Sequence, residues 1–189
     1  MAFRAQSLIA RAGPDVEASG SAIDQLFREQ HAFVWRNARR LGCADEWVDD
    51  AVQEVFLVAA RRLSELTPAS NVRGWLFAIV FRVAQRMQRG RARYRARVQR
   101  YAETQAGTQT PSHEASSQAA RQLRYLLARL DEAKRVVLIL MELEGMTSAE
   151  VAVVMSVPQG TVDSRLRAAR KQLRDMIEHD LGRSEEPSP

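Results

Sequence analysis

Residues 145–173 read GMTSAEVAVVMSVPQGTVDSRLRAARKQL, and this stretch decides the fold of the second half of the chain. Thr147 with Glu150 three residues later fits a capping box at the start of a short apolar helix. Residues 156–160 then make a tight break, in which Pro158 suits the first position of a new helix. Along this last helix, apolar residues recur at steps of four and three: Val162, Leu166, Ala169, Leu173 and Met176.

Basic residues surround that apolar stripe, namely Arg165, Arg167, Arg170, Lys171 and Arg174. A short helix, a tight turn and a longer basic helix form a helix-turn-helix, whose second helix fits the major groove of DNA. The alternative is a helical hairpin used only for packing. The basic second helix makes that alternative the weaker one.

Two more helices and a polar segment precede this motif. Apolar residues at helical spacing indicate the two helices between residues 119 and 143. Residues 103–117 read ETQAGTQTPSHEASS, and without a large apolar residue this segment cannot bury enough surface to hold one conformation. We therefore predict a flexible linker at 102–118, a small helical domain at 119–178 and a C-terminal tail at 179–189.

The first half of the chain predicts three longer helices. Helical spacing begins at Ala22, Gly42 ends the first helix, and a second helix begins near Asp45. A turn signal at residues 66–71 separates the second helix from the third. The three can share one core, which predicts a domain at 22–101 after a loose N-terminal arm at 1–21. The chain is thus predicted to be all-α, with two small helical domains joined by the linker.

The charges are unevenly distributed. Lys and Arg outnumber Asp and Glu by 28 to 23, yet no acidic residue lies between Glu65 and Glu103. The arginines in this gap are Arg73, Arg82, Arg86, Arg89, Arg91, Arg93, Arg95, Arg97 and Arg100. A block of one sign faces a polyanion or solvent, so nucleic acid is the favoured partner and a solvated basic tail the alternative. The second helix is instead acidic, and the helix dipole explains acidic residues only in its first turn.

Several classes of protein are disfavoured. Cys43 is the only cysteine, which excludes a disulfide framework within the chain and indicates an intracellular protein. His31, His113 and His179 lack metal-ligand spacing, and no glycine-rich phosphate loop is present. No apolar run is long enough for a membrane span or a signal sequence. We expect a soluble, cytoplasmic protein that is not an enzyme, uses no cofactor or metal and does not insert into membranes.

These segments resemble the sigma factors of bacterial RNA polymerase. Two stretches resemble conserved region two: residues 49–63, DDAVQEVFLVAARRL, and residues 71–87, NVRGWLFAIVFRVAQRM. Region four is resembled by residues 145–173. With only these two domains and a linker, the chain is similar to the extracytoplasmic-function group, the smallest sigma factors. The resemblance implies a transcription initiation factor that binds core RNA polymerase, directs it to specific promoters and aids DNA melting.

The resemblance also implies partners. In the family, the helix at residues 45–63 docks on a coiled coil of the polymerase largest subunit, and the polymerase flap is a second contact. The implied polymerase-binding residues are Asp45, Asp49, Asp50, Gln53 and Glu54. Phe56 on the same helix is interpreted as a core residue. Family members are commonly held inactive by an anti-sigma factor, which makes such a protein a candidate partner beside promoter DNA.

The loop at 66–71 and the third helix match the part of the family that recognises and melts the minus-ten element. Unpaired bases can be held by stacking and by small pockets. Trp75 lies on the apolar stripe of the third helix, which indicates a core position, whereas Phe77 lies off the stripe and can stack on a base. The implied residues are Ser70, Asn71, Arg73, Phe77, Arg82, Arg86 and Arg89.

The last helix matches the part that reads the minus-thirty-five element in the major groove. The implied residues are Gln159, Thr161, Asp163, Ser164, Arg165, Arg167, Arg170 and Lys171. Asp163 departs from the family tendency towards Lys or Arg; it can accept from a cytosine amino group or cap the helix start, and the cap is slightly favoured. The competing function is a stand-alone helix-turn-helix DNA-binding regulator. Such a regulator usually dimerises, and the acidic second helix has no role in it.

Overall fold

The computed structural model describes residues 16–67, 71–101 and 118–184, and every secondary-structure element within these ranges is helical. The chain divides between Ala115 and Ser116 into two compact units. The predicted all-α fold with two small helical domains is thereby confirmed. The predicted linker, most of the N-terminal arm and part of the C-terminal tail lie outside the described residues, so their boundaries stay predictions.

The first unit is a bundle of three helices: α1 (Val16–Arg40), α2 (Val48–Arg61) and α3 (Val72–Tyr101). Each of the three packs against the other two. Short 3-10 turns at Asp45–Trp47 and Leu63–Glu65 precede and follow α2. Burial of apolar side chains from all three helices makes the core, which includes Leu26, Val34, Val55, Leu76 and Ile79.

The ends of α1 differ in how well the sequence predicts them. Its C-terminus follows the prediction: Gly42 adopts a φ of 94°, and the N–H of Cys43 donates to the carbonyl of Ala38 at 3.0 Å, as in a Schellman motif. Its N-terminus lies six residues before the predicted start at Ala22. Gly20 costs the helix only about 1 kcal/mol, and it therefore does not stop the helix from extending towards Val16.

The second unit consists of α4 (Gln118–Ala128), α5 (Glu132–Leu138), α6 (Ser148–Met155) and α7 (Gln159–Ser184). A π-helical turn at Ile139–Leu143 continues α5. The long helix α7 packs against both α5 and α6. Their shared core includes Val137, Leu140, Val151, Val162 and Ala169.

Helix α7 extends beyond residue 178, where the second domain was predicted to end. Its last turns reach Ser184. Near this end the carboxylate of Asp180 lies 3.7 Å from the guanidinium of Arg129, which follows α4 directly. Asp180 thus keeps a contact within the second unit, while the boundary between domain and tail stays a prediction.

The helix-turn-helix forms as predicted. Thr147 and Glu150 make the reciprocal capping box, in which each side chain accepts from the backbone N–H of the other residue. The turn after α6 is closed by Ser156, whose φ of 53° is left-handed. Its N–H donates to Val153, and that of Val157 donates to Ala152, so a serine occupies the position where glycine is usual.

Candidate nucleic-acid and protein interfaces

The first unit has an acidic surface formed by Asp45, Asp49, Asp50 and Glu54. Contacts with α1 hold part of this surface in place. The carboxylate of Asp45 pairs with Arg39 at 2.7 Å, and Asp49 Oδ1 accepts a hydrogen bond from Trp35 Nε1 at 3.2 Å. The guanidinium of Arg39 lies 4.5 Å from the centre of the Trp35 ring, as in a cation–π contact. Two of the five predicted polymerase-binding carboxyl and amide groups are therefore fixed in orientation by α1.

The next two members of this predicted set, Asp50 and Gln53, are exposed on α2. The last, Glu54, forms an ion pair with Arg86 of α3. A residue predicted to bind polymerase and one predicted to bind DNA therefore contact each other across the bundle. This pair links α2 to α3, and nothing in the local sequence pattern of either helix indicates it.

An apolar groove lies beside the acidic surface. It has a volume of about 490 Å³, and Asp49 and Gln53 stand on its border. The rest of its lining is Ile23, Phe27, His31, Val52, Phe56, Leu57 and Ala60.

Two of these side chains are large and exposed, Phe27 at 43% and Leu57 at 53%. Neither residue was predicted from the sequence as part of a binding surface. The available signal was that Leu57 follows Gln53 by four residues and so shares its exposed face. Phe56 is buried at 6%, as predicted, and its ring centre lies 4.7 Å from that of Phe27.

The start of α3 carries the residues predicted to contact the minus-ten element. Asn71 Oδ1 accepts the backbone N–H of Gly74 at 3.0 Å, so this side chain caps the start of α3. The guanidinium of Arg73 lies 5.4 Å from the centre of the Phe33 ring. Arg82 and Arg89 are exposed further along the helix. Ser70 lies outside the described residues.

The predicted roles of the two aromatic residues at the start of α3 are wrong. Phe77, predicted to stack on a base, is 1% exposed and belongs to the core. Trp75, predicted to be core, is half-buried and points its Nε1 towards Glu65 at 3.5 Å. Phe77 is buried because α3 packs against two helices at once, which widens its buried face beyond a single stripe.

Trp75 sits in a small polar cluster at the end of α2. Arg62 donates to both carboxylate oxygens of Glu65, at 2.8 and 2.7 Å. These hydrogen bonds hold the pKa of Glu65 below its usual value, with smaller contributions from Trp75 and from the charge of Arg82. Through Glu65, the cluster contacts Trp75 on α3.

The recognition helix α7 presents a mixed surface. Most of the predicted DNA-binding residues are exposed; only Thr161 and Arg165 are half-buried. Arg170 is bound to Glu142 of the π-helical turn, with Nε to Oε1 at 2.9 Å. Ser164 Oγ donates to the carbonyl of Thr161 at 3.0 Å. The exposed residues include Gln159, Asp163, Arg167 and Lys171.

The favoured interpretation of Asp163 as a helix cap is wrong. Asp163 is the fifth residue of α7, beyond the capping position. Its Oδ1 accepts a hydrogen bond of 2.7 Å from the hydroxyl of Ser148, the first residue of α6. The carboxylate is thus held by the neighbouring helix of the motif.

Other kinds of site were sought in the part of the chain that the structure describes. No group of three or more His, Cys, Asp or Glu side chains there is arranged to hold a metal ion. No described helix combines the length and apolar character that crossing a membrane requires.

Two family models match the chain. The model described as Sigma-70 region 2 matches residues 26–104, in the first unit. The model described as Sigma-70, region 4 matches residues 120–173, in the second.

Individual proteins are similar as well. The ECF RNA polymerase sigma factor SigM of Mycobacterium tuberculosis is 29% identical over 157 residues, which cover 82% of this chain and 77% of SigM. The RNA polymerase sigma factor CnrH of Cupriavidus metallidurans is 28% identical over 174 residues, which cover 86% of this chain and 91% of CnrH.

Solved structures show the same fold. CnrH in complex with the cytosolic domain of CnrY matches with a TM-score of 0.69 at 23% identity, covering 93% of this chain and 97% of CnrH. The sigma factor RpoE of Bartonella quintana, in complex with the anti-sigma factor NepR, matches with a TM-score of 0.63 at 20% identity. That match covers 82% of this chain and 96% of RpoE.

Proposed function

We propose that this chain, which belongs to the extracytoplasmic-function group of the sigma-70 family, is a transcription initiation factor. It binds core RNA polymerase, directs it to specific promoters and aids DNA melting. The observation that carries this function is that the two matched family regions fold as two separate units, in the family order. The protein acts by binding and not by catalysis. Because it acts on RNA polymerase, it functions in the cytoplasm.

For the polymerase contact, we propose a composite surface on α2. Asp50 and Gln53 supply exposed polar groups, while Asp45 and Asp49 are held in place by α1. Charged groups at such a border steer association and fix register more than they add affinity. The apolar groove beside them adds buried contact area through Phe27 and Leu57, which supplies most of the affinity.

For the minus-ten element, the proposed contacts are Ser70, Asn71 and the arginines of α3. Arg73, Arg82 and Arg89 hold phosphates of the displaced strand, and Arg86 joins them when it leaves Glu54. Trp75 replaces Phe77 as the stacking residue, because it alone of the two offers an accessible ring. Stacking on an aromatic ring holds an unpaired base of any identity.

For the minus-thirty-five element, we propose that α7 lies in the major groove. Arg167 is exposed and can read a guanine through paired hydrogen bonds. Most of the remaining basic residues contact phosphates and so position the helix. Polymerase flap contacts are assigned to this unit as well, on the family resemblance.

An anti-sigma factor is the further partner of this proposal. The solved CnrH and RpoE structures are complexes with CnrY and with the anti-sigma factor NepR. The apolar groove on α1 and α2 is available on this chain for such a protein. A partner that covers the groove competes with polymerase for Phe27 and Leu57.

Transcription in vitro tests the proposal. Core RNA polymerase with the purified chain, supplied with a library of genomic fragments, is expected to start transcripts at a limited set of sites. Core polymerase without the chain gives the background. Failure to associate with core polymerase, or to start transcripts at any site, would falsify the proposal. A footprint over a palindrome without polymerase would support the stand-alone regulator.

A further inference from the structure

We propose that Asp163 selects a C·G base pair in the minus-thirty-five element, and that Ser148 positions the Asp163 carboxylate for this contact. The inference rests on the proposed function and adds to it the base chemistry that one residue reads. Its starting point is the hydrogen bond of 2.7 Å between the Ser148 hydroxyl and Asp163 Oδ1.

Asp163 stands where a base contact is made. Gln159, Asp163 and Arg167 follow one another at steps of four along α7, and all three are exposed. Residues at this spacing share one face of a helix. The N-terminal part of a recognition helix is the part that meets base edges in the major groove. Asp163 therefore lies between two other candidate base-reading side chains.

A carboxylate at this place excludes most DNA partners. Phosphates repel it, and guanine and thymine present hydrogen-bond acceptors at their major-groove edges. Adenine offers an amino donor, but its acceptor N7 lies next to that donor and disfavours a carboxylate. The cytosine amino group is the remaining donor, and carboxylates are the side chains that accept from it. Asp163 thus favours cytosine by attraction and disfavours the other bases by repulsion.

Ser148 determines how the carboxylate is presented. A hydroxyl donates one proton, and here that proton goes to Oδ1, which leaves Oδ2 available for a base. The bond spans two helices, because Ser148 begins α6 while Asp163 belongs to α7. It restricts the rotamers of Asp163 before DNA binds, so less side-chain entropy is lost on binding.

The test uses core polymerase carrying the full chain and a promoter library randomised over the minus-thirty-five element. The wild-type holoenzyme is expected to enrich C·G at one position. Asp163→Asn is expected to lower that preference about ten-fold and shift it towards adenine, which an amide reads through N6 and N7. Ser148→Ala is expected to lower the preference by a smaller factor, with other positions unchanged, because alanine is tolerated at the start of a helix.

Asp175→Asn is the matched control, since Asp175 is an exposed aspartate three turns further along α7. It should leave every base preference unchanged. Unaltered preferences with Asp163→Asn overturn the inference while the proposed function stands. A uniform gain of affinity with Asp163→Ala, without a change of preference, overturns it too, because the carboxylate then only repels phosphates. A wild-type holoenzyme that initiates nowhere overturns the proposed function and this inference with it.

Discussion

Among the non-glycine residues in the described part of the chain, Ser156 alone has a positive φ, 53°. A left-handed conformation costs an L-residue with a side chain roughly 1 kcal/mol or more, and glycine avoids this cost. Ser156→Gly is therefore expected to raise the free energy of unfolding of the second unit by about 1 kcal/mol. Urea unfolding followed by circular dichroism measures the change.

Ser164→Gly provides the contrast for this prediction. Ser164 lies inside α7, where glycine loses conformational freedom without any gain. We expect that substitution to lower stability by about 0.5 kcal/mol. Equal destabilisation by both substitutions would mean that the turn conformation of Ser156 carries no strain.

Trp75 and Phe77 are two residues apart, but their substitution by alanine is expected to affect different properties. Phe77→Ala removes a ring that is 1% exposed and should cost about 3–5 kcal/mol of stability. Trp75→Ala should leave the fold largely intact and reduce promoter melting about ten-fold, because one base-stacking contact is lost. Thermal unfolding and permanganate reactivity of the opened strand separate the two effects. Normal melting with the Trp75 variant would remove this residue from the site.

The start of α5 shows how one carboxylate supports a helix. Asp131 Oδ1 accepts the backbone N–H of Lys134 at 2.9 Å, and its Oδ2 lies 2.8 Å from the Lys134 ammonium. Hydrogen bonding to Lys134 lowers the pKa of Asp131 from its ordinary value of 3.8. The ionised Asp131 carboxylate therefore stabilises the folded state at pH values above its ordinary pKa. This stabilisation is lost as the pH falls through the lower pKa of the folded state.

Asp131→Ala is therefore expected to cost about 1 kcal/mol near neutral pH and less in strong acid. Asp131→Asn keeps an acceptor for the cap and removes the ionisation. Its stability should depend less on pH than that of the wild type. Unfolding free energies measured at several pH values test both variants, and a loss with Asp131→Ala that is constant with pH would contradict the assignment.

On α2, the charged and apolar parts of the proposed polymerase surface should respond differently to salt. Asp50→Lys is expected to weaken core binding about three- to ten-fold at low salt and less at high salt, because exposed charges are screened. Leu57→Ala should weaken binding at every salt concentration, since the contact it removes is apolar. Asp175→Lys, on the other unit, is the control for charge reversal. Unchanged core binding by both α2 variants would count against docking on this surface.

At the scale of the whole molecule, two separate units are proposed to engage one promoter. Arg167→Ala is expected to reduce transcription about ten-fold at promoters that carry a minus-thirty-five element, which is the size of one specific base contact. At promoters that lack the element, the loss should be small. Transcription in vitro from a matched promoter pair measures the difference. An equal loss on both promoters would make Arg167 a phosphate contact without a role in specificity.

The sequence alone determined the helical class, the helix-turn-helix and several helix ends. The capping box of Thr147 and Glu150 and the end of α1 at Gly42 were predicted correctly. These signals depend on residues within about five positions of one another, and their hydrogen bonds form inside a single turn of chain. The family resemblance also came from contiguous motifs.

Only the tertiary structure decided which side chains are exposed and which ones meet. Phe77 is buried, contrary to its prediction, because α3 is covered from two sides, whereas Trp75 is only half-buried. Glu54 forms an ion pair with Arg86, and Ser148 donates a hydrogen bond to Asp163, although the two residues of each pair lie on different helices. Such contacts depend on the rotation and crossing of packed helices. Hydrophobic periodicity specifies the centre of a buried face but not its width or the residues that face it across the interface.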